Sequence, residues 1–508
     1  MEKYMLAVDQ STAGTKALLV DRSGRVVAKS SAEHRQIYPK PGWVEHDPLE
    51  IYDNVKRTVR EALKLAGIEP AALAAIAITN QRETAVVWDR ETGLPVYNAI
   101  VWQCQRTADR CEALRAAGHE RTVRSKTGLM LDPYFSAAKW DWILTHVESA
   151  KSLLAQGRLL AGTIDSWLIW KLTGGKTHAT DYTNASRTSL FNIHTLEWDD
   201  ELCGLFGVPR AMLPEVKFSD EAFGYTDDAD LFPGRLPISG VIGDSQGALF
   251  GQLCLEPGMA KATYGTGTSV LMNTGERPVV SDNGLVTAVA WGKSGQVTYA
   301  LEAVIRSSGD SVKWVRDNLG LFDSFEELDV MLRRTPDNEG VYLVPAFVGL
   351  GAPYWDPYAR AAIVGMSRAT GKGHIVRAAV ESIAYQVRDA AELMARETGI
   401  PLKKLHADGG ASGNPLLMQF QADLLNLAVS RSAVAELSAM GAVYMAGLGV
   451  GYWASLEEIA RFGAAGQPYA PAMEAAERER LYAGWQKAAA SVLGAPTKTS
   501  ALEEVNRA

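Results

Sequence analysis

The chain has 508 residues, 47% of them hydrophobic and 22% charged, a composition of globular proteins with room for roughly two to four domains. Its 51 basic and 59 acidic residues leave a formal charge of −8, which argues against nucleic acid or an anionic membrane as the main partner. Four cysteines without CxxC or metal-ligand spacing read as reduced thiols of a cytoplasmic protein. The first apolar run, Met5–Val8, is too short for a signal peptide. No run approaches the ~20 apolar residues of a membrane span, so no membrane insertion is expected.

In chain order, Leu6–Val8, Ala17–Val20 and Val26–Ala28 predict a β-meander turned at Asp21-Arg22-Ser23-Gly24. Leu49 to Ala66 has helical periodicity and stops at Gly67. Short apolar strands follow at Ala74–Thr79 and Ala85–Trp88, and Ala137 to Val147 reads as an amphipathic helix. Ile238–Ile242 is a buried strand ending on Gly243-Asp244. The pattern then restarts with a hairpin over Lys261–Met272 and strands near Leu285–Trp291 and Val297–Leu301. Helices are expected over Val304–Asn318, His374–Arg396 and Ala475–Val492, with a frayed tail beyond Pro496. The restart divides the chain into residues 1–250 and 251–508. A meander followed by βα units, twice over, predicts α/β lobes with mixed sheets.

Six groups of residues carry candidate chemistry. The first hairpin, Val8-Asp9-Gln10-Ser11-Thr12-Ala13-Gly14-Thr15-Lys16, offers N–H groups and hydroxyls to phosphate oxygens. Ser11, Thr12 and Lys16 are its candidate nucleotide-binding residues, and Asp9 sits where a phosphate-bound Mg²⁺ needs an oxygen ligand. Tyr264-Gly265-Thr266-Gly267-Thr268 repeats the device, with Gly309 downstream. Two such hairpins suggest two lobes closing on one nucleotide; either alone reads equally as an ordinary polar hairpin. Asn80-Gln81-Arg82-Glu83-Thr84 interrupts two strands; Arg82 donates and Glu83 accepts, which suits a vicinal diol, and a solvated surface turn is the alternative. Trp102 and Tyr134 supply either an apolar wall and a phenol hydroxyl or two core aromatics.

Asp244 opens a helix, either as its N-cap or as the general base that phosphoryl transfer to an alcohol requires. Asp408-Gly409-Gly410-Ala411-Ser412-Gly413-Asn414 permits flat packing against a purine or is a plain Gly-rich turn. Neither a P-loop nor a dinucleotide fingerprint is present.

Two extended patterns carry a resemblance to a known family. One is Tyr134-x-Ser136-x-x-Lys139-Trp140-x-Trp142-Ile143-x-Thr145-His146; the other joins Ala361-x-Ile363-x-Gly365-Met366 to His374-Ile375-x-x-Ala378-Ala379-Val380-Glu381. Together they resemble the FGGY family of carbohydrate kinases. Longer runs at Ile37–Pro48, Ile78–Thr84, Tyr97–Cys104, Asp181–Thr188 and Val344–Arg360 are similar to its glycerol-phosphorylating branch.

The resemblance implies two actin-like, ribonuclease-H-like lobes with ATP and polyol meeting in the interlobe cleft. It implies that Arg82, Glu83, Tyr134 and Asp244 hold polyol hydroxyls, with Trp102 against the carbon chain. Asp244 would be the base, and Asp9 and Asp244 would position Mg²⁺. Thr12, Gly265, Thr266, Gly410, Ala411 and Asn414 would line the nucleotide. Relatives are commonly homodimers or homotetramers.

The chain departs from that branch at several positions. Ser245 stands where Gln is usual after the catalytic Asp, Ser269 replaces an aromatic, and Arg306-Ser307-Ser308 replaces small and apolar residues. Ser11 replaces the glycine of the first phosphate turn. Ser245, Ser269 and Arg306 are therefore candidate substrate-binding residues of a roomier, more polar pocket. The expected reaction is phosphorylation of glycerol to glycerol 3-phosphate; the alternative substrate is a tetritol, erythrulose or a pentulose. An actin- or chaperone-like ATPase is the alternative of another class.

Overall fold

The computed structural model describes residues 2–356, 358–462 and 466–494; the tail beyond Pro496 lies outside them. The first sheet is the expected meander extended by parallel strands. β1 (Tyr4–Gln10), β2 (Gly14–Val20) and β3 (Val26–Glu33) run antiparallel, while β4 (Leu73–Asn80) and β5 (Ile238–Gly243) join parallel to β1, in the order β5-β4-β1-β2-β3. Helix α1 (Pro48–Ala66) presents Ile51, Val55, Val59 and Ala62 to β2 and β3. Asp47 caps it by accepting from the Leu49 N–H.

The parallel strands decide where chemistry can sit. β1, β4 and β5 all point their carboxyl ends to one sheet edge, so Asp9, Asn80-Gln81-Arg82 and Gly243-Asp244 emerge side by side. Helix α2 (Asp244–Gly251) starts directly from β5.

The second sheet repeats the plan. β6 (Met259–Tyr264) and β7 (Thr268–Gly275) form a hairpin, β8 (Val286–Lys293) and β9 (Gln296–Ile305) another, and β9 lies between β7 and β8. Helices α3 (Gly309–Asp317) and α4 (Lys372–Thr398) follow. β10 (Lys404–Asp408) pairs parallel to β6, and β11 (Val429–Arg431) parallel to β10. Helix α5 (Pro415–Leu425) connects them.

One expected element is corrected. No helix starts at Val304: Val304 and Ile305 complete β9, paired with Ser269 and Thr268, and α3 begins at Gly309. β-branched residues at a strand end extend the ladder. The intervening Ser307 and Ser308 turn the chain by donating to the Asp310 carboxylate at 3.0 and 2.8 Å.

Helix α6 (Leu437–Gly449) belongs to the second half of the sequence but packs on β1, β4, β5 and α2. Its crossing with α2 is backbone on backbone. A Cβ at Gly441 would stand 1.9 Å from the Gly247 carbonyl oxygen, so only glycine permits this approach. A core of Ala7, Ala77, Ile242, Leu249, Leu271, Val443 and Trp453 fills the space between the two sheets. The four cysteines are buried and unpaired. Among the described residues no helix is long and apolar enough to cross a membrane.

Candidate active site

A cleft of about 1140 Å³ opens between the two sheet edges. At one end the chain assembles a buried nest of charge. Arg82 donates through Nη2 to Glu302 Oε1 at 3.1 Å and through Nη1 to Gln246 Oε1 at 3.2 Å. Its Nε lies 3.2 Å from Asp244 Oδ1. Arg187 donates through Nε to Glu83 Oε1 at 2.5 Å, and its Nη1 stands 2.9 Å from Glu302 Oε2 as an ion-pair contact.

Charges taken out of water cost several kcal/mol apiece unless paired; alternating two guanidinium groups with two carboxylates meets that cost. Burial pushes Glu302 up, yet Arg82 and Arg187 outweigh it and hold its carboxyl well below the usual range. Burial raises Glu83, with Arg187 and Arg82 opposing.

Arg82 and Glu83 thus lie inside, not on a solvated turn. Glu83 takes the left-handed conformation, φ +62°, which swings its side chain toward Arg187. The segment Asp181–Arg187 ties the nest together. The Asp181 carboxylate accepts from Thr183, Asn184 and Ser219. Thr183 Oγ1 in turn accepts from the Gly243 N–H at 2.8 Å, and Asn184 exchanges amide hydrogen bonds with Asn80.

Asp244 is the first residue of α2, and Gly243 occupies the cap position, so the capping role falls away. Its Oδ1 accepts from the Ser245 N–H at 2.6 Å, and the half-exposed carboxylate lines the cleft. Trp102 and Tyr134 form an edge-to-face pair, 5.4 Å between ring centroids, on the facing wall. Lys139 fixes the backbone behind them by donating to the Tyr134 and Phe135 carbonyls. Burial keeps the Tyr134 phenol protonated, raising it from its ordinary 10.0, and therefore able to donate.

The residues of the first hairpin turn differ in their partners. Ser11 turns inward: its N–H and hydroxyl both donate to the Gly14 carbonyl, at 2.9 and 3.0 Å, closing the hairpin. Thr12 Oγ1 accepts from Trp102 Nε1 at 2.9 Å, which couples the turn to the aromatic wall. Lys16 lines the cleft paired to Glu436 at 2.7 Å, a carboxylate shared with Lys29 at 2.9 Å.

Asp9 is buried in the cleft, and among the described residues no group donates a hydrogen bond to its carboxylate. Burial pushes it up to about 7, with Lys16 opposing and Asp244 and Glu436 reinforcing. An orphaned carboxylate of this kind fits a divalent cation. Mg²⁺ is an ion held by one or two carboxylates, phosphates and water; among the described residues no group of three or more His, Cys, Asp or Glu could hold a metal ion.

Beside the cleft lies a second cavity of about 420 Å³, lined by Gly265, Thr266, Gly309, Gly410, Ala411 and Asn414 together with apolar Val312, Leu328, Ile383 and Leu417. The parallel pair β6 and β10 delivers both of its turns to the same end. Gly409, at φ +86°, passes within reach of Tyr264, whose carbonyl oxygen would stand 2.6 Å from a Cβ there. Gly309 donates its N–H to the Gly265 carbonyl at 3.0 Å. Asn414 caps α5 by accepting from Leu417 N–H at 3.0 Å and donates to Asp329 Oδ1 at 2.9 Å.

The structure therefore gathers Asp9, Lys16, Arg82, Trp102, Tyr134, Asp244, Ser245, Ser269 and Arg306 around the cleft. Ser269 donates to Glu302 Oε1 at 3.0 Å. Arg306 stands exposed on the loop after β9, donating to the Val348 carbonyl at 3.3 Å. Arg187, Glu302, Gln246 and Asp329 escaped the sequence reading. Glu302 has one signal, a lone charge in the apolar run Val297–Ile305, and Arg187 lies in the Asp181–Thr188 run with nothing in its spacing to mark it.

Residues 4–251 match the N-terminal domain of the FGGY family of carbohydrate kinases, and residues 260–450 match its C-terminal domain. The chain belongs to this family. Relatives named glycerol kinase include one from Xanthomonas axonopodis pv. citri, 54% identical over 97% of this chain and 99% of the relative. Glycerol kinase 2 of Thermotoga maritima is 52% identical over 97% and 99%. The solved glycerol kinase of Plasmodium falciparum with ADP superposes with a TM-score of 0.92 at 36% identity, covering 97% of this chain and 99% of that one. A ligand-bound xylulose kinase from Lactobacillus acidophilus shares the fold, with a TM-score of 0.88 at 22% identity. The two-lobed α/β kinase fold and an ATP-dependent carbohydrate kinase activity follow from these matches.

Proposed function

We propose that this FGGY kinase transfers the γ-phosphoryl group of ATP to a primary hydroxyl of a small polyol, converting glycerol to glycerol 3-phosphate in the cytoplasm. The observation that carries the reading is Asp244 standing 3.2 Å from Arg82 in the same cleft as Asp9. Its support is the near-full-length likeness to relatives named glycerol kinase.

Asp244 Oδ1 is engaged by Ser245 N–H and Arg82, and its carboxylate faces the cleft to take the proton of the attacking hydroxyl. Arg82 donates to, and Glu83 accepts from, the neighbouring hydroxyls, while Trp102 covers the carbon chain. Tyr134 adds a phenol donor. Their mutual pairing fixes these groups before substrate arrives, which lowers the reorganisation needed during reaction. Thr266, Gly410 and Ala411 line the cavity that takes the nucleoside, and Lys16 lines the cleft on the side of its phosphates. Asp9 would hold Mg²⁺, which supplies charge neutralisation at the transferring phosphate.

The test is ADP release from Mg·ATP with and without glycerol, in the wild type and in Asp244→Asn. Glycerol-dependent release that falls ~10²–10⁴-fold in the variant, with ADP binding retained, is expected. Release that needs no polyol would make the protein an ATPase, and unchanged turnover in Asp244→Asn would remove Asp244 as the base.

A further inference from the structure

The cleft holds a buried cation that no carboxylate of the chain neutralises. On β6, Lys261 and Thr263 alternate with the core residues Ala260, Ala262 and Tyr264, so both side chains leave that core and line the cleft. Lys261 is 1% exposed, and its Nζ donates to Thr263 Oγ1 at 2.8 Å. That is its single hydrogen bond among the described residues, although an ammonium carries three donors. No carboxylate of the described residues lies within ion-pair distance, 4.0 Å, of it.

The carboxylates on the flanking strands are engaged elsewhere. Glu302 on β9 accepts from Arg82 and Ser269, and Asp408 on β10 accepts from Gln252 at 2.6 Å. Burial raises Glu302, Arg82 and Arg187 lower it, and Lys261 adds to them only from a distance. Lys139, the other buried lysine among the described residues, shows what a structural task looks like: it donates to two backbone carbonyls. Asp9, on the first sheet, is the counterpart of Lys261 with the opposite sign, a buried carboxylate without a donor in the same cleft.

A buried charge without a partner is destabilising, and chains retain such violations at functional sites. The place fits an anion. The Lys261 ammonium is drawn along β6 to Thr263, two residues before Gly265, which lines both the cleft and the nucleotide cavity. Asp244 lines the same cleft from the first sheet's side.

We propose that Lys261 binds the phosphoryl group in transit, donating its open N–H groups to a non-bridging oxygen. This rests on the reading of the Asp244 centre as the place of phosphoryl transfer. There the bond from the γ-phosphorus to ADP breaks, and its electron pair leaves with ADP. A bond from the polyol oxygen to the same phosphorus forms, and the hydroxyl proton passes to Asp244. Lys261 gives up no proton; it holds positive charge against the oxygens of the moving group.

The experiment compares the full chain with Lys261→Met, which keeps the side-chain length and removes the charge. Because the ammonium has no counter-ion, the variant is expected to melt at or above the wild-type temperature. Its glycerol-dependent kcat is expected to fall about 10²–10³-fold, with the KM for glycerol near the wild-type value. Inorganic phosphate, added with glycerol, is expected to raise the thermal midpoint of the wild type and to lose most of that effect in the variant. A variant that fails to fold or melts well below the wild type overturns the proposal, since the ammonium then has a structural task. A kcat near the wild-type value overturns it too, as does a phosphate effect that survives the substitution or is absent from the wild type. If glycerol drives no ADP release from the wild type, the reading of the centre fails. The phosphate measurement needs no turnover and still decides whether Lys261 holds an anion.

Discussion

The two halves of the site are built by opposite means, and on the proposed function they would recognise their ligands differently. Around Arg82 stand charged side chains drawn from four distant segments, each paired to another and all buried except the half-exposed Asp244. Around Tyr264 and Leu417 lie glycine turns, backbone groups and apolar side chains. A polyol offers only hydroxyls, so its site needs directional donors and acceptors fixed in advance. A purine offers a flat apolar face, so its site needs a slot. The charged nest therefore depends on pairing between elements, and the slot depends on backbone approach within and between neighbouring turns.

The charged nest should break most sharply. Glu302→Gln leaves Arg82 and Arg187 buried with one carboxylate fewer between them. Breaking a buried pair by removing one partner costs about 3–5 kcal/mol, so urea unfolding should show a loss of that size. Glycerol-dependent turnover should fall with it, since Arg82 loses the group that aims it. Lys151→Met, which breaks the exposed pair with Glu148 at 3.1 Å, should change stability by under ~1 kcal/mol. Equal effects of the two variants would mean that the nest is no more than another surface network.

Asp9 sharpens the comparison from the phosphate side. Its carboxyl is raised from 3.8 to about 7, so the folded chain binds that proton more tightly than the unfolded chain does. Ionisation therefore costs stability increasingly from about pH 4 to about pH 7 and by a constant amount above. Asp9→Asn cannot ionise, so it should raise the thermal midpoint at pH 8, change it little at pH 4, and abolish turnover. In the wild type, cation binding must displace the proton, and the KM for Mg²⁺ should fall between pH 6 and pH 8. A pH-independent KM would separate Asp9 from the metal.

The slot was more legible in the sequence than the nest, for a physical reason. Glycine turns are local: Tyr264-Gly265-Thr266-Gly267 and Asp408-Gly409-Gly410 announce close backbone approach within a few residues, and parallel β6 and β10 bring them together. The meanders were equally visible, because alternating apolar residues and polar turns set the strands. Arg187 and Glu302 lie 104 and 220 residues from their partners Glu83 and Arg82, a convergence that no spacing encodes. Ser11 shows what the turn's composition leaves out. A hydroxyl in a phosphate turn reads as a phosphate donor, but local geometry gave it to Gly14 instead. Val304 and Ile305, just before Arg306, fit helix or strand by sequence alone, and only the ladder with β7 decides between them.

The smallest effect belongs to the slot. Asn414 both caps α5 and donates to Asp329 at the cavity edge. Asn414→Ala removes the cap, worth about 1 kcal/mol of stability, and frees the Asp329 carboxylate at the cavity edge. Leu328, Ile383, Leu417 and the glycine turns remain, so the slot keeps its shape. ADP affinity, measured by titration calorimetry, should therefore weaken only several-fold, and kcat with saturating ATP should stay near the wild-type value. A collapse in kcat would show that Asn414 reaches the reacting end, and the division between a charged nest and a passive slot would have to be redrawn along α5.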